Sequence, residues 1–122
     1  MTTRRHHLLT LGSLAATALA LGSGAVRAED TVKIGVILPM TGQQATTGRQ
    51  IEAAAKLYMA QNGDMIAGKK VELIIKDDTS IPDVTKRMAQ ELIVNNKVNV
   101  LAGFGITPSA LATAPLATQS KT

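Results

Sequence analysis

The densest group of potential ligand-binding atoms in this sequence lies in Gly103-Phe104-Gly105-Ile106-Thr107-Pro108-Ser109, directly after the apolar run Val98 to Ala102. A buried strand that breaks at glycine and restarts as a helix leaves free N–H groups at the helix start. Thr107 before Pro108 has the form of an N-cap hydroxyl followed by a first-turn proline. N–H groups, a hydroxyl and the positive end of a helix dipole converging on one spot suit a carboxylate or a phosphate. A purely architectural reading stands beside this one, because any tight strand-to-helix connection needs glycine and a cap.

The second group is Asp77-Asp78. Adjacent carboxylates can hold a hard cation, but neighbouring residues leaving a strand point in opposite directions. The pair therefore reads better as two separate acceptors for loop and helix N–H groups. Met40, Met59, Met65 and Met88 have no His or Cys beside them and read as core filler or surface rather than soft-metal ligands. The chain has no Cys, and its two histidines, His6 and His7, fall in a leader-like segment. Thiol chemistry, cysteine-based zinc sites and a histidine base in the folded part are thereby excluded. No catalytic residue, metal or cofactor is expected.

The elements that must position these groups repeat along the chain. Val32 to Leu38 is a β-branched apolar run ending at Pro39. Arg49 to Asn62 follows as a helix, with Ile51, Ala54, Ala55 and Tyr58 on its buried face and a capping box at Thr47 to Gln50. Gly63 and Asp64 stop it, and a turn at Gly68 leads to a second strand, Val71 to Ile75. Ser80 to Asp83 is another capping box, with Pro82 in the first turn and Val84, Met88, Ala89, Leu92 and Ile93 as the buried stripe. Val98 begins a third strand, and Pro115 limits the last helix to Pro108–Ala114. Continuous apolar strands joined by helices predict a parallel sheet with right-handed crossovers. In such a sheet ligands bind at the carboxyl edge. Here that edge carries Pro39 to Gly48, Asp77 to Ser80 and Gly103 to Ser109.

At 122 residues the chain holds at most one domain, and only Tyr58 and Phe104 are aromatic. The net charge of +4 is mostly contributed by Arg4, Arg5 and Arg27 at the start, whereas every acidic residue lies after Ala28. Without a basic patch or stacking aromatics beside one, nucleic acid is not an expected partner. Arg4-Arg5, the uncharged run Leu8 to Val26 and the small residue Ala28 make residues 1–28 a cleavable signal peptide. Thr3-Arg4-Arg5 resembles a twin-arginine signal, although His7 and Leu9 depart from that motif, so the general secretory route stays open. An uncleaved anchor is the alternative, since the run is close to the roughly 20 residues that span a bilayer.

From Glu29 onward the sequence resembles the N-terminal lobe of a type I periplasmic solute-binding protein, in the branch of the leucine/isoleucine/valine-binding proteins of ABC importers. The resemblance is carried by Val32-Lys33-Ile34-Gly35-Val36-Ile37-Leu38-Pro39-Met40-Thr41-Gly42, by Gly48, and by Gly68-Lys69-Lys70-Val71-Glu72-Leu73. It continues through Lys76-Asp77-Asp78, Gln90-Glu91-Leu92-Ile93 and Val98-Asn99-Val100-Leu101-Ala102-Gly103. It implies an α/β fold, a three-layer open parallel sheet forming part of one lobe of a Venus-flytrap protein over residues 29–122. It also implies a binding protein rather than an enzyme, one that carries an amino acid or related small carboxylate in the periplasm to a permease in the inner membrane. In relatives the loop after the third strand offers N–H groups and a hydroxyl to the solute carboxylate, which here falls on Gly105, Ile106 and Thr107, with Ser109 as a further candidate. Thr47 occupies a position that packs on the ligand in relatives, and a helix-capping role for it stands equally. Phe104 is a candidate apolar wall.

Two other classes compete with this one. A nucleotide-binding Rossmann-like domain requires Gly-x-Gly-x-x-Gly after the first strand, and Gly35 to Gly42 fails that spacing. A receiver-like phosphotransfer domain requires acids where Pro39-Met40 and Gly103-Phe104 stand. A membrane-anchored interaction domain is the third class, and leader cleavage separates it from the first. The resemblance further implies that the chain is an N-terminal fragment, aggregation-prone and a poor binder without a second lobe.

Expressed in a Gram-negative host, the chain should lose its leader after Ala28. N-terminal sequencing of the periplasmic product is expected to begin at Glu29, and a product beginning at Met1 in the membrane fraction would contradict this. Replacing Arg4-Arg5 with Lys-Lys is expected to block export only if the twin-arginine route is used.

Overall fold

The structure is a computed structural model that describes residues 31–122, so the expected signal peptide at residues 1–28 and its cleavage point lie outside the described residues. The elements in chain order are β1 (Thr31–Leu38), α1 (Ala45–Asn62), β2 (Met65–Ile66), β3 (Lys69–Asp77), α2 (Pro82–Val94), β4 (Val100–Gly103) and α3 (Thr107–Ser120). They form one sheet in the order β2-β3-β1-β4. β1 is central and parallel to both neighbours, running from Thr31↔Lys70 to Leu38↔Asp77 on one side and from Ile34↔Val100 to Ile37↔Gly103 on the other. That position explains why β1 is mostly apolar, with Lys33 near its start reaching the Asn96 carbonyl at 3.4 Å: a strand flanked on both sides has little surface left for water.

The strand order also sets the layers. The chain moves from β1 outward to β3, then back past β1 to β4, so successive right-handed crossovers put α1 on one face and α2 on the other. α3 lies beside α2. The core between sheet and α2 is Ile37, Ala89, Leu92 and Val98, with Ile74, Met88, Leu101, Phe104 and Leu116 packed around it. A fully buried Leu92 contributes about 1.5–3 kcal/mol by removal from water.

The sheet is mixed rather than wholly parallel as expected. Met65 and Ile66 pair antiparallel with Lys70 and Lys69, through a two-residue turn in which Ala67 and Gly68 both have positive φ, 50° and 77°. Such a turn matches the twist of a hairpin; the sequence reading placed a turn here but no strand before it. The third strand begins at Val100, not Val98, although Val98 is buried and its N–H bonds to the Leu92 carbonyl at 3.2 Å.

Three helix boundaries differ from expectation. α1 starts at Ala45 with Gln44 as its N-cap, and α2 and α3 are capped by Ile81 and Ile106, none of them through a side chain. Thr47, Ser80 and Thr107 are therefore not side-chain caps. α3 runs through Pro115 instead of ending at Ala114. Proline removes one helical N–H and crowds the carbonyl four residues back, here that of the exposed Leu111, where water can serve it. Hydroxyls of Thr113, Thr118 and Ser120 accompany it by bonding to the carbonyls of Ser109, Ala114 and Leu116.

The buried face of α1 also differs. Ile51 is 45% exposed and Tyr58 57%, while Gly48, Glu52, Ala55 and Met59 turn inward. Gly48 sets this phase: a Cβ there would fall inside the Pro39 carbonyl oxygen and 2.7 Å from the Pro39 carbonyl carbon. The inward face centres on Gly48, Glu52, Ala55 and Met59, at successive spacings of four, three and four, with Gly48 against Pro39, which leaves Ile51 and Tyr58 at its margin.

Gly48→Ala should accordingly destabilise the chain by about 2–4 kcal/mol, because backbone rather than a pliable side chain must yield. Thermal melts are expected to show a fall of roughly 10 °C or more. An unchanged melting temperature would mean that α1 is not held against Pro39.

Candidate functional site

The carboxyl edge of the sheet is assembled around the exit of β1. Leu38 and Pro39 are buried, and the Ile37 and Leu38 carbonyls accept the N–H groups of Phe104 at 2.8 Å and Asp78 at 3.2 Å. The loops after β3 and β4 are thus tied to the end of β1.

The two acidic residues diverge at this point, as the alternation of a strand requires. Asp77 turns toward the loop after β1. Its Oδ1 accepts the N–H groups of Met40 at 2.8 Å, Thr79 at 2.9 Å and Thr41 at 3.4 Å, and its Oδ2 accepts the Thr41 hydroxyl at 2.6 Å. Partial burial works against the charge of Asp77, but the Thr41 hydroxyl and the three N–H groups outweigh it and hold the carboxyl below its ordinary 3.8. Asp78 turns inward with no exposed surface, accepting the Ser80 N–H at 3.0 Å and the Thr85 hydroxyl at 2.7 Å. Both carboxylates are thus occupied by protein donors. Among the described residues no three His, Cys, Asp or Glu side chains gather in a way that could hold a metal.

The segment after β4 is shaped by close approach. Gly103 has φ 106°, and a Cβ there would overlap the Ile37 carbonyl oxygen. A Cβ on Gly105 would sit 2.7 Å from Pro39 Cγ. Phe104, between them, has φ 72°, costly for a bulky residue, and its half-buried ring packs against the core. Gly105 and Thr107 are exposed at the edge, and Ile106 is half-buried. Among the described residues no acceptor takes the N–H of Gly105, Ile106 or Thr107, the situation expected at an open helix start.

The structure brings Gly105, Ile106 and Thr107 together and gives the others different surroundings. Ser109 has no exposed surface, and its Oγ lies 2.7 Å from Thr85 Oγ1, so its hydroxyl faces α2 and not the edge. Thr47 is exposed in the first turn of α1, its N–H on the Gln44 carbonyl at 3.0 Å. Phe104 gives much of its ring to the core. Sequence reasoning missed the roles of Thr41 and Thr85, whose hydroxyls complete Asp77 and Asp78: Thr41 lies in the run after β1 but nothing there marks it as a partner of Asp77, and Thr85 lies in no recognisable pattern. A shallow groove of about 320 Å³ lies between the far ends of α2 and α3, lined by Gln90, Ile93, Val94, Leu116, Gln119 and Ser120. It is at the opposite end of those helices from this edge. No described helix is long and apolar enough to cross a membrane.

Asp77→Asn should loosen the loops after β1 and β3, at a cost of about 1–3 kcal/mol at neutral pH, since hydrogen bonds to a charged acceptor are being weakened. A carboxyl with a depressed folded pKa stabilises fully above its unfolded value near 4 and loses that contribution as pH falls through the folded value. Melting curves of the two chains between pH 7 and pH 2.5 are therefore expected to converge below about pH 4. Parallel curves over the whole range would contradict this role for Asp77.

Comparison with known proteins gives this edge its context. The periplasmic binding protein family profile matches residues 31–122. The Leu/Ile/Val-binding protein homolog 6 of Brucella abortus (strain 2308) is 40% identical over 109 residues, covering 87% of this chain and 28% of the relative. The crystal structure of an ABC transporter solute-binding protein from Rhodopseudomonas palustris BisB5, in complex with 3,4-dihydroxybenzoic acid, is 70% identical with a TM-score of 0.72, covering 75% of this chain and 25% of that one. A second solute-binding protein from R. palustris, in complex with 4-hydroxybenzoate, is 39% identical with a TM-score of 0.71 over the same shares. The chain thus spans about a quarter of the length of the relatives it matches. With the profile extending over every described residue, and fold and sequence in agreement, the chain belongs to the periplasmic binding protein family.

Proposed function

We propose that this chain forms one wall of the solute site of an extracytoplasmic substrate-binding component of an ABC importer, and that the solute is a small carboxylate captured without chemical change. The observation that carries the reading is the open turn at Gly105–Thr107. Three unclaimed N–H groups and the exposed Thr107 hydroxyl stand at the start of α3, where the helix dipole favours an anion. Charge-assisted hydrogen bonds of this kind contribute about 1.5–3 kcal/mol each.

Between an amino acid and an aromatic acid, the reading takes the aromatic acid. The 70% identical relative holds 3,4-dihydroxybenzoic acid and the 39% identical one 4-hydroxybenzoate, which supports the same choice. Export through residues 1–28, residence in the periplasm and delivery to an inner-membrane permease complete the proposal.

A site of this kind closes between two lobes that exclude water. Micromolar binding requires about −8 kcal/mol, beyond what a few hydrogen bonds on one solvent-exposed wall supply after the entropy of association. The 122-residue chain is therefore expected to bind 3,4-dihydroxybenzoate only in the millimolar range, with amide shifts in NMR titration confined to Gly105, Ile106, Thr107 and their neighbours. Thr107→Ala should weaken that binding about tenfold, and leucine should produce smaller shifts. An acid that moves no amide in this turn would refute the site.

A further inference from the structure

We infer that Thr85, a residue of α2 with no exposed surface, is a positioning residue for the turn at Gly105–Thr107. Its functional meaning rests on the solute-site reading above; its physical basis is independent of it. Thr85 Oγ1 lies 2.7 Å from Asp78 Oδ2, 2.7 Å from Ser109 Oγ and 3.0 Å from the Ile81 carbonyl oxygen. A hydroxyl has one proton to give and two lone pairs to accept with. A carboxylate only accepts, so the Thr85 proton goes to Asp78 and the Ser109 hydroxyl donates to Thr85. The Ile81 carbonyl is served by the Thr85 N–H at 2.9 Å.

This relay joins three elements. Asp78 follows the end of β3, Thr85 sits in the first turns of α2, and Ser109 is the third residue of α3. All three are fully buried, so water does not compete for the bonds and their directions are fixed. The next turn of α3 is held in the same way, with the buried Thr113 hydroxyl on the Ser109 carbonyl at 2.9 Å, while Leu111 points outward at 68% exposure. Small polar groups, not a large apolar side chain, thus locate the start of α3 against α2. Ser109 is two residues from Thr107 in the same rigid turn. Holding Ser109 therefore holds the direction in which the Gly105, Ile106 and Thr107 N–H groups point.

The test is amide hydrogen exchange on the 122-residue chain, read at Ala110 and Leu111, the first α3 amides with intrahelical acceptors. Ser109→Ala cuts the link to α3 and leaves Asp78 with its Thr85 donor, which protects the fold; Thr85→Val removes the whole relay, and Thr85→Ser restores the hydroxyl. Exchange at Ala110 and Leu111 is expected to accelerate about tenfold in Ser109→Ala and Thr85→Val and to return to the parent rate in Thr85→Ser. Leu92 and Ile93, in the last turn of α2 and away from the relay, should change less than about twofold in Ser109→Ala. Titration of the same chains with 3,4-dihydroxybenzoate should show about tenfold weaker binding in Ser109→Ala. Unchanged exchange at Ala110 and Leu111 would overturn the inference, as would faster exchange with undiminished affinity. A parent chain that ignores the probe while Ser109→Ala accelerates exchange would refute the solute reading and support the anchor.

Discussion

The structure depends on how closely backbone can approach the last residues of β1. Gly48 from α1, Gly103 from β4 and Gly105 from the turn beyond it all press on Ile37–Pro39 at distances where a Cβ has no room. Two distant parts of the chain, the start of α1 and the exit of β4, therefore converge on the end of β1 and the proline that follows it. Ile37 is paired on both sides and Leu38 with β3, which fixes where the strand ends. Loops anchored there inherit its position, as a binding edge that must not drift requires.

Polar groups complete what close packing begins. Asp77 and Asp78 are consecutive, yet one organises the loop after β1 and the other the start of α2 and, through Thr85, of α3. Asp77 faces the loop after β1, and Asp78 faces α2. Each is surrounded by N–H and hydroxyl donors rather than by bases or cations, which makes the pair an organiser of backbone. The ion pair of Lys76 with Glu91 at 2.7 Å lies farther back along β3 and α2 and remains partly exposed, so its contribution is about 0–1 kcal/mol.

Much of this was legible in the sequence. The order of strands and helices followed from apolar runs and turn residues, and the edge at Gly103–Thr107 from a strand ending in glycine before Thr-Pro. Phases and boundaries were less accessible. The inward face of α1 keeps Ala55 of the expected stripe but is rotated toward Gly48, which meets the Pro39 carbonyl, so Ile51, Ala54 and Tyr58 are exposed. Capping patterns at Thr47 and Ser80 mislead because Gln44 and Ile81 start their helices without a side-chain cap. Thr85 and Ser109 cannot be paired from sequence, being on different helices and 24 positions apart. The hairpin strand Met65–Ile66 is too short to show a period.

Backbone strain at the edge follows the same division of labour. Thr79 and Ser80 have φ of 52° and 62°, conformations that cost of order 1–3 kcal/mol each. Their N–H groups bond to the carboxylates of Asp77 and Asp78, and bonds to charged acceptors contribute about 1.5–3 kcal/mol, so the strain there is offset locally. Phe104, at φ 72°, has only a neutral bond to the Ile37 carbonyl, about 0.5–1.5 kcal/mol, together with the packing of its ring. That packing is what requires a phenylalanine where glycine would be unstrained: the ring closes the top of the core beside Ile37 while the backbone turns Gly105 out toward Pro39. The strained residue thus does two things at once. It seals the α2 side of the sheet, and it turns the chain so that the next three N–H groups stand at the edge instead of continuing the β4 ladder.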